Sequence, residues 1–211
     1  MHCPLCQNPQ THHYHQDKRR YYFQCPRCHL VFADPNALLP PTAEKQQYDQ
    51  HQNDPADQGY RRFLSRVSQP LIQRLAPGSQ GLDFGCGPGP TLSLMMEEAG
   101  HSMAIYDPYF FPDRAPLRQH YDFVTCTEAI EHFYRPGREW PLLLGLVRPG
   151  GTLALMTKLV KDKQAFANWH YKNDPTHVSF FSQATFSYLA ERDGLTLEFI
   201  GNDVVLLQKT A

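Results

Sequence analysis

Leu82-Asp83-Phe84-Gly85-Cys86-Gly87-Pro88-Gly89-Pro90 is the stretch on which the fold of this chain turns. Gly81 to Phe84 reads as a short strand with an acidic residue near its end, followed by glycines at 85, 87 and 89. A helix is predicted from Pro90 to Ala99, opened by the proline and stopped by Gly100. In such a strand, loop and helix unit the missing side chains let a ligand approach the backbone. A nicotinamide or flavin fingerprint spaces its glycines G-x-G-x-x-G, and Pro90 stands where the last glycine belongs, which argues against a dinucleotide. The glycines alone also allow a tight turn without a ligand, and Asp83 alone a loop anchor.

Upstream, Phe63, Leu64, Val67, Leu71, Ile72 and Leu75 recur at helical steps from Gln58 until Pro77-Gly78, with Pro70 expected to kink the helix or begin a second segment. Downstream, a second strand spans His101 to Tyr106 and ends at Asp107-Pro108, and a third spans Asp122 to Cys126. Leu146 to Thr157 (LVRPGGTLALMT) reads as a helix end, a tight turn and a strand. From Gln183 a helix precedes two strands, Leu195 to Ile200 and Val204 to Gln208, joined as a hairpin through Gly-Asn-Asp. Strands alternating with helices predict an α/β fold with a doubly wound, mostly parallel sheet.

Asp-x-Gly-x-Gly-x-Gly after the first strand resembles motif I of the class I S-adenosylmethionine-dependent methyltransferases. Two further stretches resemble the same family: Tyr121 to Pro136 (YDFVTCTEAIEHFYRP), like its fourth strand and acidic loop, and LVRPGGTLALMT, like the turn into its fifth. The resemblance covers most of residues 58 to 208. It implies a Rossmann-like methyltransferase fold in which Asp83, Gly85, Cys86, Gly87 and Gly89 wrap S-adenosylmethionine, with Thr127 and Glu128 from the fourth-strand loop beside it. It also implies that Asp107 binds the ribose diol, a carboxylate accepting from two vicinal hydroxyls. Asp107 before Pro108 can equally be a turn residue. Between Asp107 and Asp122 there is no room for a helix and the family's third strand, so the fold is expected to be shortened there. A remnant strand at Leu117 to His120, or aromatic packing from Tyr106, Tyr109 or Phe110, is the expected replacement. Tyr60 is placed to close the cofactor pocket from the helix before motif I.

Cys3-x2-Cys6 and Cys25-x2-Cys28, separated by 18 residues, fit a four-thiolate zinc ribbon. Four protein ligands leave no open coordination position, so this zinc is expected to be structural. A redox dithiol is the alternative. The predicted layout is a zinc ribbon over 1–35, a Pro, Gln and Asn-rich linker over 36–57 with one short helical turn, and the methyltransferase domain over 58–211. Lys18, Arg19 and Arg20 beside Tyr21, Tyr22 and Phe23 resemble a basic, aromatic face for single-stranded RNA, although strand alternation explains the aromatics equally well. Net charge is −1, with both signs spread along the 211 residues, so bulk electrostatics demands neither nucleic acid nor membrane. No stretch is apolar enough for a membrane helix, and the start MHCPLC lacks signal-peptide features, so the expected location is the cytoplasm. Oligomeric state is not legible.

The acceptor side is read from two segments. Glu128, Glu131 and His132 share one face of a short helical turn, where Glu131 and His132 can hold the cofactor or take a proton from an oxygen acceptor. Helix capping and a surface ion pair are the structural alternative. In the unusual segment Asn168 to Ser182, Trp169 and Tyr171 are expected to form an aromatic wall around the acceptor, with His177 as proton acceptor or positioning group. A buried, packing His177 fits as well. The likeness to small-molecule methyltransferases makes a small organic molecule the expected acceptor. RNA base methylation guided by the ribbon, or a cofactor-binding but inactive partner protein, are the alternatives.

Overall fold

The structure is a computed structural model that describes residues 1–50 and 53–210. Its main sheet has six strands, β4 (Gln80–Phe84), β5 (Ser102–Tyr106), β6 (Tyr121–Thr127), β7 (Val147–Met156), β9 (Leu195–Ile200) and β10 (Val204–Lys209). The order is β5-β4-β6-β7-β10-β9; the first four are mutually parallel and β10 runs antiparallel to both neighbours. The α/β, doubly wound, mostly parallel sheet expected from the sequence is therefore present, with its closing hairpin. Strand order reverses between β4 and β6, which opens a crevice beyond their carboxyl ends.

Helices cover both faces. On one, α2 (Gln58–Ile72) and α3 (Thr91–Glu98) bury Leu64, Val67, Leu71, Leu92 and Met96 against Phe123, Met156, Val204 and Leu206. Asp57 caps α2 by accepting from the Gly59 N–H, and Pro70 falls in its last turn, where it ends the helix two residues later. On the other face, α4 (Pro136–Leu146) and α6 (Gln183–Asp193) deliver Trp140, Leu143, Phe186 and Leu189 to the larger core. A Ser182–Thr185 capping box starts α6 and Gly194, at φ 67°, ends it. The turn expected in LVRPGG is a bulge within β7, where the register shifts between Tyr121 and Phe123.

The remnant third strand at Leu117 to His120 is not formed. Ala115–Arg118 is a 3-10 turn instead, with Pro116 second in it, where a missing N–H and fixed φ suit a helix start. β5 is consequently the edge of the sheet.

The N-terminal segment builds a second sheet from β1 (His12–Gln16), β2 (Tyr21–Gln24) and β3 (Val31–Ala33), completed by β8 (Ser179–Phe180) from the distant stretch 168–182. Residues 36–57, read as a linker, hold α1 (Pro41–Tyr48); His51 and Gln52 of that stretch lie outside the described residues. A short α5 (Lys163–Ala167) packs Phe166 among Tyr14, Tyr22 and Phe180. Among the described residues no helix is long and apolar enough to cross a membrane.

Candidate active site

The crevice at the carboxyl ends of β4, β5 and β6 is a cavity of about 750 Å³, within the roughly 300–1,000 Å³ usual for small-molecule sites. Motif I forms one wall. Gly85 and Gly87 take φ of 74° and 66°, and a Cβ on Gly85 would lie 2.7 Å from the Ala129 Cβ, so the turn requires glycine. Asp83 is buried beneath the loop, where its carboxylate accepts from Thr125 Oγ1 at 2.7 Å and Ser93 Oγ at 3.4 Å. Burial pushes its pKa up to about 6 despite those hydrogen bonds.

Asp107 closes the end of β5. Its Oδ1 accepts from the Tyr109 and Phe110 N–H groups at 2.8 and 3.0 Å, and its Oδ2 from the Gly87 N–H at 3.0 Å. It is thus a turn residue and a cavity residue at once: one oxygen fixes the following loop, the other the glycine loop, and the carboxylate lines the cavity. Tyr106, Tyr109 and Phe110 line the cavity too, where the missing third strand leaves the sheet edge open.

Residues after β6 form the opposite wall. Thr127, Glu128 and His132 line the cavity, with Glu128 at φ 48°, a conformation seldom adopted by a residue with a side chain. Thr127 Oγ1 and Glu128 Oε1 are buried without a hydrogen-bond partner, an arrangement suited to a polar ligand. Tyr60 of α2 also lines the cavity, as do Cys86 and His177. His132 and His177 meet edge to face with ring centroids 4.7 Å apart. His132 Nδ1 lies 3.2 Å from the Thr176 carbonyl and His177 Nδ1 2.7 Å from the Tyr171 carbonyl.

Four sequence-predicted residues do not line the cavity. Gly89 meets the chain itself, since a Cβ there would lie 1.9 Å from the Asn53 carbonyl oxygen; residue 53 closes over the loop. Glu131 is fully buried behind His132, where it accepts from Tyr171 OH and from Thr157 Oγ1. Tyr171 and Trp169, expected to form an aromatic wall around the acceptor, do not line the cavity and pack in the core shared with the N-terminal sheet. Their rings pack on each other at 5.1 Å and, through Trp169, on Phe166 and Phe180, because β8 draws this segment onto the ribbon sheet. Burial raises the pKa of both Glu128 and Glu131, and for Glu131 the neighbouring Glu128 charge raises it further.

Sequence reasoning missed Glu44, Tyr48 and Asn53, which lie in the stretch read as a linker and line the cavity. Glu44 accepts from Tyr48 OH at 2.8 Å and from Tyr109 OH at 2.7 Å, so α1 is tied to the loop after β5. Nothing in a polar, weakly amphipathic octapeptide signals this. Asp174 lines the cavity as well, with Oδ2 3.8 Å from His177 Nε2.

Residues 172–177 are held from the N-terminal sheet. Arg20 is 7% exposed, and its guanidinium donates to the carbonyls of Lys172, Asp174, Pro175 and His177 and to Tyr22 OH. Arg20 and Tyr22 therefore face inward, while Lys18, Arg19 and Tyr21 remain exposed. The sulfurs of Cys3, Cys6, Cys25 and Cys28 lie within 4.8 Å of one another, with 3.4 Å between Cys3 and Cys28 and 3.5 Å between Cys6 and Cys25. Zinc–sulfur bonds of about 2.3 Å place tetrahedral sulfurs about 3.8 Å apart, so the cluster is compatible with a small zinc ribbon.

Residues 56–198 match the model of the methyltransferase domain family. The chain belongs to that family. Among solved structures it is similar to the Burkholderia thailandensis 1,6-didemethyltoxoflavin-N1-methyltransferase with bound 1,6-didemethyltoxoflavin and S-adenosylhomocysteine. That match has 13% identity over 95% of this chain and 100% of the other, at a TM-score of 0.59. It is also similar to an O-methyltransferase family protein from Burkholderia thailandensis, with 16% identity over 80% of this chain and 63% of that one, at a TM-score of 0.50. Such identities establish the shared fold. No sequence among the curated proteins matches.

Proposed function

We propose that this methyltransferase-family protein transfers a methyl group from S-adenosylmethionine to a small organic acceptor, with the zinc ribbon bracing the acceptor site. The observation that carries the reading is that one cavity is lined both by Gly85, Gly87 and Asp107 and by Glu128, His132 and His177. The first group, with Cys86, Tyr60 and Thr127, would hold the cofactor; Asp83 supports the loop from below and Gly89 gives it room to pass under Asn53. S-adenosylmethionine supplies the electrophilic methyl carbon on its sulfonium, and the chain supplies alignment. His132 and His177 are placed to position the acceptor or take its proton, and Glu131 and Tyr171 hold the wall behind them. Trp169 acts through packing.

A small acceptor is favoured over RNA because Arg20 and Tyr22, two of the residues that would form an RNA face, are spent on the acceptor segment. The test incubates the purified, zinc-loaded chain with methyl-labelled cofactor and an extract of its own cells, then separates RNA, protein and small molecules. Label confined to the small-molecule fraction is expected. Nuclease-sensitive label would transfer the reading to RNA, and cofactor binding without transfer to any fraction would make the chain an inactive binding protein.

A further inference from the structure

Three potential metal ligands converge at the cavity wall, two from its lining and one from behind it: an oxygen of Glu131 and one nitrogen each of His132 and His177 all lie within 4.8 Å of one another. We infer that Glu131, His132 and His177 bind a divalent first-row transition ion, with open coordination positions facing the cavity for an acceptor hydroxyl. This inference rests on the methyl-transfer reading and deepens it, since it assigns oxygen as the acceptor atom.

The first support is tautomeric. A backbone carbonyl only accepts, so the contacts from His132 Nδ1 to the Thr176 carbonyl and from His177 Nδ1 to the Tyr171 carbonyl place a hydrogen on each Nδ1. In neutral imidazoles this makes Nε2 the lone-pair nitrogen of both rings, with the ring orientation fixed by a carbonyl, as metal-binding histidines are usually held. The second is a shortage of donors. Tyr171 OH lies within reach of both Glu131 Oε1 and Glu128 Oε2, but it has one hydrogen, and the contact to Glu131 is the shorter. Thr157 Oγ1 gives its hydrogen to Glu131 Oε2. Glu128 Oε1 is buried with no hydrogen-bond partner. Two adjacent buried carboxylates with so few donors are stabilised by a cation placed before them.

Third, the donor set is selective. Two imidazoles and one carboxylate with vacant positions suit Mn²⁺, Fe²⁺ or Co²⁺ better than Ca²⁺, and are too hard to compete with the four thiolates for zinc. Glu128, at its strained φ, faces the same cavity and would hold a metal-bound water or the acceptor. Bound to the ion, an acceptor hydroxyl has a lowered pKa and releases its proton to solvent. Its oxygen then forms a bond to the methyl carbon, the carbon–sulfur bond breaks, and that electron pair returns to sulfur, which leaves as the neutral thioether.

Mn²⁺ is the probe, because thiolates bind it poorly and the ribbon zinc stays in place. Titration of the zinc-loaded full chain, followed by the electron paramagnetic resonance signal of free Mn²⁺, is expected to show one saturable site. Spin-echo modulation from two imidazole nitrogens is expected in the wild-type complex, a readout that needs no variant. His132→Ala and His177→Ala are each expected to weaken Mn²⁺ by at least ~100-fold, the upper end of what loss of an outer-shell partner costs. Zinc content and S-adenosylhomocysteine binding, the latter by calorimetry, verify that the variants are folded. Absence of a saturable site, absence of nitrogen modulation, or variants that titrate like wild type would overturn the metal site. Failure of the wild type to bind S-adenosylhomocysteine would instead refute the methyltransferase reading, so the two failures are distinct.

Discussion

Asp83 joins cofactor-loop architecture to an electrostatic cost. Its carboxyl is fully buried and its pKa rises from 3.8 to about 6, with burial outweighing the hydrogen bonds from Thr125 and Ser93. The folded chain therefore holds this proton more tightly than the unfolded chain does. The stabilisation is complete below pH ~4 and is lost as pH rises through about 6. At about 1.4 kcal/mol per pH unit the loss amounts to about 3 kcal/mol by neutral pH. Asp83→Asn cannot ionise and keeps one acceptor oxygen, placed for the closer Thr125 hydroxyl, while its NH2 replaces the oxygen that accepts from Ser93. Urea denaturation of the two proteins between pH 4.5 and 7.5 is expected to show the variant gaining on wild type as pH rises, approaching that difference; a gap independent of pH would contradict the assignment.

At the scale of elements, the segment between α5 and α6, proposed to cover the acceptor, is shaped more by the N-terminal sheet than by its own sequence. β8 pairs with β3, and the Arg20 guanidinium collects four carbonyls from residues 172 to 177. Arg20→Ala leaves those carbonyls without their shared donor, a loss of about 2–4 kcal/mol. Labelled-methyl turnover is expected to fall at least ~10-fold in this variant, while S-adenosylhomocysteine affinity, which depends on β4 and β5, stays within about threefold. Arg20→Lys should not restore turnover, because a single ammonium cannot reproduce a planar fork that serves four oxygens. Equal loss of turnover and cofactor affinity would show that the ribbon supports the whole cavity and not the acceptor segment alone.

At the scale of the molecule, the two sheets share their packing. Cys3, Cys25, Cys28, Leu30 and Phe32 belong to the same core as Trp140, Phe181 and Phe186. A zinc ion held by the four thiolates would therefore cross-link the edge of the main core, and its loss is expected to lower the stability of the entire chain. Metal analysis is expected to give one zinc per chain in wild type and none after Cys28→Ser or exhaustive chelation. Calorimetry is expected to show a single transition lowered by about 10 °C or more, in line with several kcal/mol lost from a domain of this size. Two separate transitions would mean that ribbon and domain unfold independently.

What the sequence determined by itself is local: the Asp-x-Gly-x-Gly-x-Gly turn, the two CxxC pairs and the period of each strand and helix act through neighbours a few residues away. The α/β sheet, its missing third strand and the cysteine cluster were therefore legible before any coordinates. The tertiary structure decided which side chains share the cavity. Glu44 reaches it because Tyr109, 65 residues later, donates to it, and Arg20 leaves the surface because carbonyls more than 150 residues away surround it. Tyr171 and Trp169 pack away from the cavity onto the N-terminal sheet because β8 finds its pairing partner in β3. Hydrogen bonds and burial between distant segments have no period along the chain, and so leave no pattern in the sequence to read.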